Sequence, residues 1–138
     1  MIVHRFVCRV YFEDTDAGGV VYHASYLRFA ERARTEALRD VGAPHAALLD
    51  EFGLIFVVRR IKLDYLRPAR LDESLEVATR VLAVGAAKAE LSQVIRRDGD
   101  TLAEAKVLLA CVRRGDGRPA RIPPRWRDAL EGLAGAGR

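Results

Sequence analysis

The chain has few of the residues that mark secreted, membrane-spanning or metal-binding proteins. Its 138 residues include two cysteines, Cys8 and Cys111, which are far apart and fit no metal-ligand spacing. No apolar run approaches the ~18 residues of a membrane-spanning helix, and Met1 to Arg5 lack the charged-then-apolar order of a signal peptide. The three histidines show no zinc-type spacing. These absences predict a cytoplasmic protein with reduced thiols, no membrane span and no metal.

A compact basic segment is also missing, although the net charge is +4 and most of the cations are arginine. Arginine suits phosphate binding because its planar fork grips two oxygens at once. A general preference for arginine over lysine would give the same composition, so both interpretations stay open. No zinc finger, RNP-type aromatic strand or basic helix accompanies the charge, and nucleic acid is therefore not predicted as a partner.

What the chain does have is enough apolar sequence for one small core. Half of its residues are apolar and 30% are charged, which is typical of a globular domain. The length predicts a single domain over residues 1–138. The small and polar residues 132–138 predict a flexible tail.

The apolar periodicity predicts a strand, a long helix and then four more strands. The first strand covers Arg5–Glu13, with Phe12 on its apolar face. The long helix runs from about Tyr26 to Val41, with Ser25 as its N-cap and Val41 on its apolar stripe. The later strands are Ile55–Leu66, Glu73–Ala83, Ala87–Arg97 and Leu102–Arg113, and the two short helices are Pro44–Phe52 and Trp126–Leu133.

This order predicts an α+β fold in which an antiparallel sheet of about five strands packs against one long helix. Consecutive strands with short links favour antiparallel pairing, and one apolar-striped helix against one sheet gives two layers. The edges of the sheet and part of one face would stay uncovered. Covering them predicts a homodimer or a homotetramer.

Residues that carry chemistry cluster between the first strand and the long helix, in the segment from Glu13 to Tyr26. Asp16 is either an ordinary turn residue, since Asp and Gly populate turns, or a carboxylate that attacks or activates water. A calcium-binding loop is excluded because Gly18 and Ser25 occupy positions that need oxygen ligands.

His23 lies just before the predicted N-terminus of the long helix, where backbone N–H groups are unpaired and the helix dipole is positive. A polarised carbonyl or an oxyanion would be stabilised there. Gly18 and Gly19 would let the backbone approach a substrate closely. A purely structural histidine is the alternative interpretation.

The segment Val10-Tyr11-Phe12-Glu13-Asp14-Thr15-Asp16-Ala17-Gly18-Gly19-Val20-Val21-Tyr22-His23-Ala24-Ser25-Tyr26 resembles the signature of the hotdog-fold acyl-CoA thioesterases. It is most similar to the YbgC-type branch of the 4-hydroxybenzoyl-CoA thioesterase family, a branch associated with the Tol-Pal system. The likeness continues at Glu31–Glu36, Phe56–Arg60 and Tyr65–Asp72. It implies a hotdog fold, in which a curved antiparallel sheet wraps round one long helix.

The resemblance implies roles for individual residues. Asp16 matches the catalytic carboxylate of the family, which acts as a nucleophile or as a general base. His23 matches the histidine of this branch, and a tyrosine stands there in the 4-hydroxybenzoyl-CoA thioesterases, so its backbone N–H matters more than its ring. Family aromatics nearby shape the acyl pocket or pack in the core. The substrate-binding residues implied in this signature are Gly18, Gly19, Tyr11 and Tyr22.

The resemblance also implies a reaction and its partners. An acyl-CoA thioester is hydrolysed to a free acid and CoA without a cofactor, and an acyl-carrier protein is an alternative acyl donor. The phosphates of CoA are expected to meet basic residues in the region of family-like strands, for which an ordinary solvated strand face is the other interpretation. These residues are Arg59, Arg60 and Arg67, with Lys62 and Arg70.

Three alternative functions fit the same fold. One is a non-catalytic acyl-thioester or acyl-carrier-protein binding module of the cell-envelope machinery, which would not need the carboxylate of Asp16. Another is a dehydratase, whose catalytic pattern has no match in this sequence. The third is a cell-envelope scaffold with vestigial activity. The sequence leaves the length and the aromatic or aliphatic nature of the acyl group open.

Overall fold

A strand, a long helix and four more strands follow one another along residues 3–134, the part of the chain that the computed structural model describes. The helices are α1 (Ser25–Asp40), α2 (His45–Phe52) and α3 (Pro124–Ala134). The strands are β1 (His4–Arg9), β2 (Leu54–Tyr65), β3 (Ser74–Val84), β4 (Lys88–Arg97) and β5 (Asp100–Arg113). The predicted order of elements is confirmed.

The five strands form one antiparallel sheet in the order β1-β3-β4-β5-β2, so β1 and β2 lie at its two edges. A two-residue turn joins β4 to β5. In this turn Asp98 and Gly99 both have positive φ values, of 50° and 85°. A turn of that handedness matches the right-handed twist of the two strands that it connects.

A β-bulge at Arg59 sets which side chains of β2 face the core. Val58 pairs with Leu109 of β5 and Arg60 pairs with Leu108, so Arg59 is the extra residue. If Arg59 were an ordinary paired residue, strict alternation from Val58 would turn Arg60 towards the inner face. The bulge instead places Arg60 outward and the next apolar residue, Ile61, inward opposite Val107.

α1 packs its alanine-rich stripe against the inner face of the sheet, and its small side chains allow a close approach. The buried apolar residues of this face of the helix are Tyr26, Phe29, Ala30, Ala33, Ala37 and Leu38. Two apolar clusters result. The first cluster surrounds the start of α1 and includes Phe29, Ala33, Val10, Val77 and Ile95. The second cluster surrounds its end and includes Leu38, Leu91, Leu109, Trp126 and Leu130.

The first strand is shorter than predicted, and its last residues leave the sheet. β1 ends at Arg9, and Phe12 lies in a 3₁₀ turn over Phe12–Asp14 with 81% of its surface exposed. The prediction that Phe12 belongs to the buried face is wrong. The physical reason is local, because the carboxylate of Asp14 accepts the backbone N–H of Tyr11 at 2.8 Å and turns the chain.

Two ends of helices also differ from the prediction. α1 stops at Asp40, and Val41 is 43% exposed rather than buried, because Gly42 turns the chain away with a φ of 81°. The predicted tail over residues 132–138 begins too early. Residues 132–134 complete α3 and Leu133 is buried in the second cluster, while residues 135–138 lie outside the described part of the chain.

Candidate active site

The segment with the predicted catalytic residues forms a closed loop between β1 and α1. Thr15 pairs with Val21, and the N–H of Asp16 donates to the carbonyl of Val20 at 2.9 Å. The N–H of Val21 donates in turn to the carbonyl of Ala69 at 2.8 Å. The loop is therefore tied both to itself and to the segment that follows β2, which gives Asp16 a fixed frame.

The carboxylate of Asp16 is exposed on this loop. Its Oδ1 accepts the N–H of Gly18 at 2.8 Å, a contact typical of aspartate in turns. Its Oδ2 has no hydrogen-bond partner among residues 3–134. A Cβ at Gly18 would lie 3.2 Å from Asp16 Oδ1, and Gly19 has a φ of 80°, which glycine adopts without strain. The two glycines therefore allow a tight turn that leaves one carboxylate oxygen unengaged.

The backbone carbonyl of a buried aspartate, Asp14, joins this loop to the start of α1. Asp14 is 4% exposed, and its carbonyl accepts the N–H of Tyr22 at 2.8 Å and the hydroxyl of Ser25 at 3.2 Å. Asp14 is not among the site residues predicted from the sequence. The available signal was its position three residues after Tyr11, which is the spacing of a capping box.

The start of α1 differs from the prediction in its cap. Ala24 is the N-cap rather than Ser25, and no side chain caps the helix. The Ser25 hydroxyl is engaged elsewhere, since it donates to Asp14 and accepts from Arg28 at 3.0 Å. Within residues 3–134 the N–H groups of His23 and Ala24 have no hydrogen-bond partner. Two unpaired donors therefore lie at the positive end of the helix.

Tyr65, the last residue of β2, fixes the peptide unit between His23 and Ala24. Its hydroxyl donates to the carbonyl of His23 at 2.7 Å, and its ring packs edge-on against Tyr26 with centroids 5.3 Å apart. The carbonyl of His23 and the N–H of Ala24 belong to one planar unit. A donor on that carbonyl therefore orients the N–H and polarises it. Tyr65 is not among the site residues predicted from the sequence.

A shallow cleft of about 250 Å³ lies beside this peptide unit. Its lining residues are Val21, His23, Tyr26, Tyr65, Leu66, Arg67 and Pro68. Of the predicted site residues, it brings together His23 and Arg67. Asp16, Gly18 and Gly19 belong to the adjoining loop and do not line the cleft.

The two predicted pocket tyrosines lie outside the cleft lining. Tyr22 is exposed, and its ring centroid is 4.4 Å from that of His23. Tyr11 is exposed next to the 3₁₀ turn. Neither is packed in a core cluster, so the alternative of core packing is wrong for both.

Comparison with known proteins identifies the family. The family model described as the thioesterase-like superfamily matches residues 10–130. The chain belongs to the thioesterase-like superfamily. It is 45% identical over 128 residues to a Haemophilus influenzae protein named acyl-CoA thioesterase YbgC, covering 93% of this chain and 94% of that one. It is 44% identical over 120 residues to an Escherichia coli O157:H7 protein named acyl-CoA thioester hydrolase YbgC, covering 86% and 89%.

Solved structures agree with this assignment. The crystal structure of a probable thioesterase from Bartonella henselae superposes with a TM-score of 0.85 at 40% identity, covering 88% of this chain and all of that one. The predicted hotdog fold and the resemblance to the YbgC-type branch are confirmed. This member of the thioesterase-like superfamily is a thioester hydrolase.

The three predicted arginines of this thioesterase do not form one site. Arg67 lines the cleft and lies 3.6 Å from Asp100. Arg59 is the exposed bulge residue. Arg60 lines a separate outer groove of about 240 Å³ together with Lys62 and Lys106. Of these three arginines, Arg67 is the one that lines the cleft beside the candidate catalytic peptide.

The described part of the thioesterase shows no metal centre. Residues 3–134 contain no group of three or more histidine, cysteine, aspartate or glutamate residues that could hold a metal ion. None of the helices in this range is long and apolar enough to cross a membrane. Cys8 and Cys111 form no disulfide.

Proposed function

We propose that this thioesterase hydrolyses acyl-CoA thioesters, with Asp16 as the attacking or water-activating carboxylate. The observation that carries the proposal is the peptide unit between His23 and Ala24. Its N–H is unpaired, it lies at the positive end of α1, and the hydroxyl of Tyr65 holds its carbonyl. Such a donor stabilises the negative charge that develops on a thioester carbonyl oxygen during attack.

The reaction then divides its work between the loop and the helix. The N–H groups of Ala24 and His23 bind the carbonyl oxygen, while Asp16 either attacks the carbonyl carbon or removes a proton from a water that attacks it. In the first case the C–S bond breaks to give an anhydride between the acyl group and Asp16, which water hydrolyses to the free acid and the regenerated carboxylate. In the second case the C–S bond breaks and the free acid forms directly. CoA leaves as a thiolate and takes up a proton. The ring of His23 orients water or supplies this proton. No cofactor takes part, since CoA is a portion of the substrate.

Thiol release from a panel of acyl-CoA substrates tests the reaction. The panel runs from acetyl-CoA to palmitoyl-CoA and includes an aromatic acyl-CoA. Asp16→Asn keeps the size of the side chain and removes its charge, so kcat is expected to fall about 10²- to 10⁴-fold. The matched control is Asp64→Asn on the outer face of β2, where the loss of another exposed carboxylate is expected to leave the rate unchanged.

The same assay separates the proposal from its alternatives. A non-catalytic acyl-thioester or acyl-carrier-protein binding module would release no thiol, and near-wild-type rates in folded Asp16→Asn would exclude Asp16 as the catalyst. Turnover in H₂¹⁸O followed by mass spectrometry addresses the role of Asp16. Label in its carboxylate would select the nucleophilic path.

Binding of the CoA nucleotide is proposed to use basic residues near the cleft, with Arg67 closest to it and Arg59 and Arg60 further along β2. Phosphate contacts weaken as salt screens them. The Michaelis constant for acyl-CoA is therefore expected to rise with ionic strength and on Arg67→Glu. A salt-independent Michaelis constant would exclude this part of the proposal.

The proposal extends to the assembly and the location of the protein. The edge strands β1 and β2 both expose valines, Val7 and Val58, which favours a homodimer or homotetramer. Sedimentation of the purified chain tests this. A cytoplasmic location rests on the two unpaired cysteines, and cell fractionation tests it. An association with the Tol-Pal system rests on the resemblance, and a pulldown tests it.

A further inference from the structure

An ion pair links β4 to the connecting segment between β2 and β3, residues 66–73. Arg97 Nη1 donates to Glu73 Oε1 at 2.8 Å and to the carbonyl of Pro68 at 3.1 Å. The same Oε1 accepts the backbone N–H of Arg70 at 2.6 Å. The side chains of Arg97 and Glu73 are only 24% and 28% exposed, so solvent screens this pair less than a fully exposed one. The guanidinium therefore holds together the two halves of the connecting segment.

The first half of the connecting segment forms part of the cleft beside His23. Leu66, Arg67 and Pro68 line this cleft. The N–H groups of Leu66 and Arg67 both donate to the carbonyl of Leu102 in β5, at 2.8 Å and 3.1 Å. The wall of the cleft is thus attached to the sheet by this carbonyl before Pro68 and by Arg97 at Pro68.

Ala69, in the middle of the connecting segment, is fully buried, and the peptide unit before it is held on both sides. The carbonyl of this unit, that of Pro68, accepts from Arg97, and its N–H donates to the hydroxyl of Tyr26 at 3.0 Å. Because a peptide unit is planar, a donor that fixes the carbonyl also fixes the direction of the N–H. Arg97 therefore sets the direction of the N–H that Tyr26, in the first turn of α1, accepts.

The peptide unit after Ala69 is held in the same way. Its carbonyl accepts the N–H of Val21 at 2.8 Å, and its N–H, that of Arg70, donates to Glu73. Val21 and Tyr26 both line the cleft. Each of the two peptide units thus has one partner in the ion pair and one partner in the wall of the cleft.

Both members of the ion pair are charged at neutral pH. Partial burial acts to raise the pKa of Glu73, but the hydrogen bonds from Arg97 and Arg70 outweigh this effect and hold the pKa below its usual value. A carboxyl with a lowered pKa is ionised at neutral pH, and an arginine is protonated there. The contacts of the connecting segment are therefore intact under ordinary assay conditions.

We propose that Arg97 is a positioning residue for thioester hydrolysis. Through the two peptide units beside Ala69 it holds Val21 and Tyr26, which flank in the sequence the N–H groups proposed to bind the thioester carbonyl. A misplacement of about 1 Å is enough to slow a reaction that depends on such donors. This assignment rests on the proposed function of the cleft.

Hydrogen exchange of the backbone amides, followed by NMR, tests the proposal without turnover. Arg97→Gln removes a charged donor, so exchange at Val21 and Ala69 is expected to accelerate about tenfold. Amides of β5 that pair with β2 are expected to exchange at the wild-type rate. Equal acceleration at all of these amides would show that Arg97 only stabilises the whole domain, and would overturn the proposal.

Thiol release from an acyl-CoA is the second measurement. Arg97→Gln is expected to lower kcat about fivefold with little change in the Michaelis constant, because the loss displaces donors that act in the transition state. Arg97→Lys keeps the charge and is expected to restore part of kcat. A change confined to the Michaelis constant would overturn the proposal, since Arg97 would then act on substrate binding.

A double-mutant cycle with Tyr26→Phe tests the route of the effect. Arg97 and Tyr26 hold opposite sides of one peptide unit. The effects of Arg97→Gln and Tyr26→Phe on kcat are therefore expected to be non-additive, with the double variant about as slow as the slower single variant. Additive effects would show that Arg97 does not act through this peptide unit.

Arg5→Gln is the matched control. Arg5 of β1 pairs with Glu76 of β3 at the same 2.8 Å, in the same sheet. Its loss is expected to leave both kcat and the exchange at Val21 unchanged. If Arg97→Gln likewise changed neither quantity while Asp16→Asn abolished turnover, the positioning role would be wrong and the proposed function would stand.

Discussion

The two ends of α1 offer hydrogen-bond donors in contrasting ways. At its start, the donors are backbone N–H groups of His23 and Ala24 beside a shallow cleft of about 250 Å³. Towards its end, the donor is the side chain of Arg34, which is buried in a cavity of about 470 Å³. The first arrangement suits a charge that appears only during a reaction. In the second, the guanidinium is already engaged, since Arg34 Nη1 donates to the Oε1 of Gln93 at 2.9 Å.

This difference also determines which substitutions each end of α1 tolerates. A backbone donor survives most substitutions, provided that its peptide stays in position, and here Tyr65 and the tie between Val21 and Ala69 supply that position. A side-chain donor disappears with a single substitution at Arg34. Substitutions therefore affect the backbone donors at the start of α1 only by moving their peptide. A substitution at Arg34 removes the donor itself.

Thiol labelling gives the largest expected contrast, because each apolar cluster has one cysteine. Cys8 packs against the first cluster and Cys111 lies inside the second. Burial raises the pKa of Cys8 from 9.0 to about 11 and also raises the pKa of Cys111. At pH 8 a thiol of pKa 11 has about a hundredfold less thiolate than one of pKa 9.

Reaction with a disulfide reagent at pH 8 is expected to be about a hundredfold slower for Cys8 than for the unfolded chain, and to accelerate about tenfold per pH unit below pH 11. Cys111, which is fully buried, is expected to react only when the second cluster opens. Single-cysteine variants distinguish the two thiols. Faster labelling of Cys111 than of Cys8 would show that the cavity end opens more readily than the loop end.

Tyr65→Phe tests whether the first end works through a positioned peptide. The variant removes the donor to the carbonyl of His23 and keeps the ring. We expect kcat to fall about tenfold with little change in the Michaelis constant, since the loss affects charge development more than binding.

Tyr26→Phe is the matched control for this prediction. Its hydroxyl accepts the N–H of Ala69 at 3.0 Å, so its removal is expected to cost about 1 kcal/mol of stability and to lower kcat less. If Tyr65→Phe raised the Michaelis constant and left kcat unchanged, the hydroxyl would serve binding alone.

Gly19→Ala tests the frame of the loop. The positive φ of Gly19 is strained for alanine, although a Cβ there meets no atom within 4 Å. The expected loss is about 1 kcal/mol in the free energy of unfolding, measured with urea. Gly132→Ala in α3 is the control, because a glycine inside a helix is expected to gain stability on the same substitution. If both substitutions changed the free energy of unfolding by the same amount, the positive φ of Gly19 would not be a source of strain in the variant.

His45 gives the smallest expected effect and reports on the second end. Its pKa in the folded chain is lowered from 6.5, so the unfolded chain takes up a proton first as the pH falls. Stability is therefore expected to decline below about pH 6.5, and His45→Gln is expected to reduce this decline. An NMR titration of the ring should also show a higher pKa in Arg34→Met. An unchanged pKa of His45 in Arg34→Met would show that the charge of Arg34 does not act on His45.

The sequence predicted the parts of this structure that depend on repeated patterns. Alternation identified the strands β3, β4 and β5, and the signature from Val10 to Tyr26 identified the family. These features persist over many residues, so a single local contact does not overturn them.

The features that were missed depend on single contacts across the fold. β1 ends early because Asp14 captures one N–H, and Ser25 does not cap α1 because its hydroxyl is engaged by Asp14 and Arg28. The hydroxyl of Tyr65 donates to the carbonyl of His23, although the two residues are 42 positions apart in the sequence. Arg34 lies within the alanine stripe, and a charged residue on that face was the signal that could have drawn attention to it.

The bulge at Arg59 has a consequence for changes in chain length. Because Arg59 is the unpaired extra residue, its deletion would leave Val58 inward and Arg60 outward, and would only regularise β2. Deletion of Lys62 would instead invert every following side chain of the strand. Among relatives of different length, β2 is thus expected to lose a residue at this position before any other. At this position a deletion shortens β2 without exchanging its inward-facing and outward-facing side chains.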